Sequence, residues 1–166
     1  IQGINSAQMA ERLNCTRVAA ARASDEVAGF DWAFIEKSRG NQKTLGFESD
    51  GRSLWQLVSE HMHNPVRKVR WVLDRHDDLP AVMAGESALA KYTLMSEPQY
   101  HVYAIAAIDW EGIRKTLQLK ELTYPEPGCI ALQTWRYDPD LFAEGHCVDR
   151  LSLFLSLRQE SDPRIK

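Results

Sequence analysis

The chain of 166 residues contains no apolar run near the roughly 18 residues that a membrane-spanning helix needs. Its longest apolar-rich stretches, 103–108 and 151–157, are of a length that a core takes up. The opening residues do not have the pattern of a charged leader, an apolar run and a small-residue cleavage site. Cysteine is scarce. Cys15, Cys129 and Cys147 are odd in number and scattered, which predicts free thiols, no disulfide framework and a cytoplasmic location. Enzyme signatures are missing as well: no Gly-rich phosphate loop, no Gly-x-Ser-x-Gly, no His-Glu-x-x-His and no Cys-x-x-Cys. His61 and His63 would point roughly 200° apart on a helix, too far apart for one metal ion. His146-Cys147 has no partner near it in sequence, and Asp138, Asp140 and Asp149 read as turn and cap residues. The expectation is a protein that is not an enzyme, with no catalytic residue, no cofactor and no metal.

What is present is an ordinary globular composition, with 44% hydrophobic and 26% charged residues. The net charge of −3 is unevenly spread: residues 1–76 carry eleven Lys+Arg against nine Asp+Glu, and residues 77–166 carry nine against fourteen. Halves of +2 and −5 suggest different partners for each. The chain opens at Ile1 rather than Met, and Asp162-Pro163 reads as the start of a helix with no room to continue. Further residues are therefore expected beyond Lys166 and before Ile1.

The first half carries the one constellation with a mechanism. Ser6 is an N-cap candidate for a helix over 7–13, with Met9, Ala10 and Leu13 on one face. After Asn14-Cys15, Thr16 can cap a second helix, 17–27, with an apolar stripe of Ala20, Ala23 and Val27. Cys15, at the turn, is expected to pack beneath the two helices. Segments 32–37 and 43–48 are rich in strand formers around the polar loop 38–42, which predicts a β-hairpin. Helix, turn, helix and hairpin in that order describe a winged helix. Arg17 and Arg22 fall off the apolar stripe, and Lys37, Arg39 and Lys43 flank the hairpin tip. With the Thr16 hydroxyl at a helix start, they are the predicted contacts to double-stranded DNA. The Ala-rich second helix, with Asp25 and Glu26, also fits a winged helix used for protein contact instead.

Further helices are predicted over 53–61 and 66–75, with a domain boundary at 77–80. Trp55, Leu57, Val58, Val69 and Trp71 offer more apolar surface than a winged helix needs, and burial against a second domain or another subunit is expected. The second half reads as helix over 85–92, strand over 100–106, a helix capped by Asp109, and strand over 130–137. A short helix starts at Asp138, and 148–159 is taken as helix over strand.

The order Ser6-Ala7-Gln8-Met9-Ala10-Glu11-Arg12-Leu13, then Cys15-Thr16-Arg17, then Val27-Ala28-Gly29-Phe30 resembles the winged helix-turn-helix of bacterial transcriptional regulators, including the multiple-antibiotic-resistance regulator type. Residues 84–93, Ala-Gly-Glu-Ser-Ala-Leu-Ala-Lys-Tyr-Thr, are similar to the start of the second domain in abortive-infection antitoxin regulators. The resemblance implies an autorepressor that neutralises or pairs with a neighbouring toxin. The expected architecture is α+β. Residues 1–76 form a winged helix-turn-helix with supporting helices, and 81–166 form a smaller mixed α/β domain for partner, effector or dimer contacts. A DNA-binding regulator acting as a homodimer away from membranes is the leading expectation. The alternative is a protein-interaction module, an antitoxin-like subunit or dimerisation winged helix, that does not bind DNA.

Overall fold

A computed structural model describes residues 3–37, 43–49, 51–73 and 78–159. The protein has both helices and strands, an α+β architecture, in two compact units: Ile1–Met62 and His63–Lys166.

The first unit packs two helices on a small sheet. Helix α1 (Ser6–Arg12) is capped by Asn5, one residue ahead of the Ser6 that the sequence favours. Asn5 Oδ1 accepts from the backbone of Ala7 and Gln8, and Gln8 Oε1 accepts from Asn5 N at 3.0 Å, a reciprocal capping box. Asn14 turns the chain with φ +47°, a conformation that asparagine tolerates better than most residues. Helix α2 (Arg17–Val27) then starts from the predicted cap, with Thr16 Oγ1 accepting from Ala19 N at 3.2 Å. Ala20 and Ser24 face inward and Ala23 does not, so the stripe is shifted by one residue from the expected one. Ser24 satisfies its buried hydroxyl on Ala20 O at 2.9 Å.

Strands β1 (Ile4–Asn5), β2 (Ala33–Lys37) and β3 (Lys43–Phe47) form an antiparallel sheet in the order β1-β3-β2. The pairing runs from Ala33 opposite Phe47 to Lys37 opposite Lys43. Met9, Ala10, Ala20, Ala33 and Leu45 make the core between helices and sheet. Helix α3 (Gly51–Val58) and one tight helical turn (Ser59–His61) close the unit. His61 lies against Phe30, ring centroids 4.6 Å apart, beside Trp32, which suits a packing role.

The second unit is built on a five-stranded sheet, order β5-β6-β8-β4-β7. Its strands are β4 (Val66–Leu73), β5 (Val82–Met83), β6 (Val102–Ala106), β7 (Lys120–Leu122) and β8 (Cys129–Trp135). β6 and β8 run parallel, and the other strand pairs of this sheet run antiparallel. Helices α4 (Gly85–Tyr92) and α6 (Arg150–Leu157) belong with one core cluster: Val82, Ala84, Ala88, Ala104, Trp135, Val148 and Leu153. Helix α5 (Trp110–Thr116) belongs with the other: Val72, Ile105, Trp110, Leu119, Ile130 and Leu132. All seven residues of β8 are buried because both faces of the central strand are covered.

The helix expected over 66–75 is strand β4. Its spacing of Val66, Val69 and Leu73 mimics a helix, but its β-branched content and its partners β8 and β7 make it sheet. The boundary expected at 77–80 lies instead between Met62 and His63, and the second unit is the larger one. No helix begins at Asp138, where Asp138 Oδ1 accepts from Asp140 N at 3.0 Å and holds a turn. Asp149 does cap α6, as expected. The expected helix start at Asp162 lies outside the described residues.

Candidate nucleic-acid interface

The face of α2 that turns away from the core follows from its geometry. At 100° per residue, Ala20, Ser24 and Val27 point inward, so Val18, Arg22 and Asp25 form the outward stripe. Arg17 falls in line with the inward residues, three before Ala20 and seven before Ser24, and is exposed because it stands at the first helical position, next to the Thr16 cap. Thr16, Arg17 and Arg22 are all exposed, as a nucleic-acid contact requires. Thr16 Oγ1 is already engaged as an acceptor, so it retains its hydroxyl proton for an outside oxygen.

On the hairpin, Lys37 and Lys43 face each other as the last pair before the connecting segment 38–42, and both are exposed. Arg39 lies outside the described residues. Lys43 Nζ meets Asp25 Oδ1 at 3.1 Å with both side chains more than half exposed, so one of the expected DNA contacts carries an ion pair. This contact joins α2 to the hairpin, and it brings Lys43 into the same region as Arg22.

Val18, which the sequence does not single out, is 62% exposed at the centre of the outward stripe. An exposed β-branched residue between two arginines was the available signal. Cys15, expected to pack beneath the motif, is exposed instead. The basic character assigned to the first half shifts with the boundary. Residues 1–62 carry seven Lys+Arg against eight Asp+Glu, hence −1, because Arg67, Lys68, Arg70 and Arg75 belong to the second unit.

Among the described residues, no group of three His, Cys, Asp or Glu is placed to hold a metal ion. Cys15, Cys129 and Cys147 are free thiols. The second unit contains an open cleft of about 970 Å³. Ala81, Ile105 and Ile113 give it apolar walls, with Asp109, Asp140 and His146 among its lining residues. Asp109 starts α5 without a capping bond from its carboxylate. No helix among the described residues is long and apolar enough to cross a membrane. Of the apolar residues expected to be buried, Trp71 packs edge-on to Tyr100 at 5.4 Å, while Leu57 and Val69 remain about half exposed. Comparison with protein-family models, with curated proteins and with solved structures returns no match.

Proposed function

We propose that the first unit is a winged helix-turn-helix that binds double-stranded DNA, and that the protein is a transcriptional regulator. The observation that carries this reading is the exposed surface of α2, Arg17 at its first position and Val18 and Arg22 on its outward face, beside a hairpin bearing Lys37 and Lys43. A helix with its N-terminal half exposed fits the major groove, and strand cations reach the backbone. Val18 suits contact with a thymine methyl, and Arg22 suits a guanine edge or a phosphate. Action as a homodimer on a two-fold operator, in the cytoplasm, completes the reading. The similarity of residues 84–93 to antitoxin regulators supports a toxin as the partner of the second unit.

The test is fluorescence anisotropy over a salt series, with DNA from upstream of the gene and a scrambled duplex. Lys37→Ala should weaken both duplexes equally and flatten the slope of log K against log salt by about 0.9. Arg17→Ala should weaken the upstream site more than the scrambled one, by about 1–3 kcal/mol if it reads a base. Failure of the wild type to bind either duplex at low salt defeats the reading. The alternative, a protein-contact winged helix, is favoured by Asp25 on the outward stripe and by the unit's charge of −1. It predicts that neither variant changes duplex binding.

A further inference from the structure

Strand β4 contains an irregularity with a chemical consequence. Val66 pairs with Trp135 and Lys68 pairs with Thr134, so Arg67 is an extra residue with no partner of its own. From Lys68 onward the alternation is regular: Lys68 stands opposite Thr134, Arg70 opposite Leu132 and Val72 opposite Ile130. Val72, Leu132 and Ile130 belong to the core beside α5. The sheet face that is apolar at Val72 therefore becomes cationic toward the start of the strand, and the bulge brings Arg67 to the same place. Arg67, Lys68, Arg70, Ala107, Trp110 and Thr134 line one open cavity of about 380 Å³.

The three cations are not equivalent. Arg70 is fixed: its side chain is only 16% exposed, its guanidinium lies 4.6 Å from the centre of the Trp110 ring, and Nη1 donates to Glu121 Oε1 at 2.7 Å. Lys68 Nζ shares that same carboxylate oxygen at 3.5 Å. Arg67 is exposed and has no ion-pair partner among the described residues. The other nearby carboxylate, Glu111, is held by Arg114 at 2.9 Å, and that bond lowers its pKa. Three cations against Glu121 leave an excess of two positive charges at a cavity that already has a rigid guanidinium at its base.

We infer that this cavity is a seat for a phosphomonoester, the dianionic terminal phosphoryl group of a small molecule or of a nucleic-acid end. The charge of about −1.5 to −2 on such a group matches the excess. Arginine forks and a lysine point charge are the side chains that hold phosphoryl oxygens best. The volume exceeds that of the phosphoryl group alone and lies in the range of ligand pockets, leaving room for the organic part it is attached to. The site is built wholly from the second unit and does not depend on the first unit's binding DNA.

Isothermal titration of the full chain at low ionic strength tests this with inorganic phosphate, adenosine 5′-monophosphate and adenosine. Both phosphates should bind saturably and adenosine should not. Arg67→Gln and Lys68→Gln change exposed side chains and should each weaken binding about tenfold. Glu121→Gln removes the competing carboxylate and should tighten it, which a merely structural cluster would not do. A 5′-phosphorylated oligonucleotide set against its 5′-hydroxyl counterpart separates a nucleic-acid end from a small-molecule source. No saturable binding of either phosphate, or binding unchanged in Arg67→Gln and Lys68→Gln, overturns the proposal. So does an Arg67→Gln effect seen only as a flatter salt slope on duplex DNA, because that marks a backbone contact.

Discussion

The ion pair between Asp25 and Lys43 decides how far a single residue limits the proposed DNA face. At 3.1 Å and half exposed, it contributes at most about 1 kcal/mol to stability. Its larger effect is on a polyanion, since Asp25 both neutralises Lys43 and repels phosphates from the outward stripe of α2. Asp25→Asn should therefore tighten duplex binding about two- to fivefold at low salt, and the gain should vanish at high salt. Anisotropy at two salt concentrations checks both halves of that statement. The three thiols should separate in reactivity. Cys15 is exposed, Cys147 is half-buried with its pKa raised by burial, and Cys129 is buried in β8. Timed labelling with a thiol reagent should modify Cys15 first, Cys147 more slowly, and Cys129 only on unfolding.

Among the elements, what could be read from sequence was what is local. Thr16 before Arg17-Val18-Ala19 and Asp149 before Arg150-Leu151-Ser152 announce helix starts by short-range chemistry, and both caps form. Thr16→Ala should cost about 1 kcal/mol, measurable as a shift in urea midpoint. Strand β4 was illegible because its determinants lie far along the chain: Val66 finds Trp135 and Trp71 finds Leu122. Within 66–73 only the β-branched content of Val66, Val69 and Val72 argues for a strand, against a spacing that suits a helix equally well. The site residues show the same division. The exposure of Arg22 was legible from a local stripe, whereas the gathering of Arg67, Lys68 and Arg70 needed the bulge opposite Thr134. Gly85 at the start of α4 combines both kinds of information. It takes φ +50°, and a Cβ there would lie 2.9 Å from Val102 Cγ1. Gly85→Ala should destabilise the second unit by about 1–3 kcal/mol, read by thermal unfolding.

For the molecule as a whole, two tyrosines tie the second unit's loops to its helices. Tyr92 donates to Val148 O at 2.9 Å, and Tyr137 donates to Ser152 Oγ at 2.7 Å. Burial raises both hydroxyls above the ordinary 10.0. The folded state then holds these protons more tightly than the unfolded chain does. The stability they add is complete below about pH 10 and is lost as pH climbs through the raised values. Urea midpoints should accordingly fall above pH 10, and Tyr137→Phe should flatten that decline while lowering stability at neutral pH through the lost hydrogen bond.

The placement of β8 between β4 and β6 also sets an order of events during synthesis. The first unit draws its pairings from within residues 4–47, so its sheet can close as soon as that stretch is available. The second unit cannot follow strand by strand. β4 and β6 are both made before β8, yet each needs it as a neighbour, and a segment ending before residue 129 would hold two strands with a missing centre. Pairings of such long sequence separation form slowly. The nascent second unit should therefore pass through a stage with open strand edges beside an already folded first unit, and this is the stage most open to aggregation or chaperone capture.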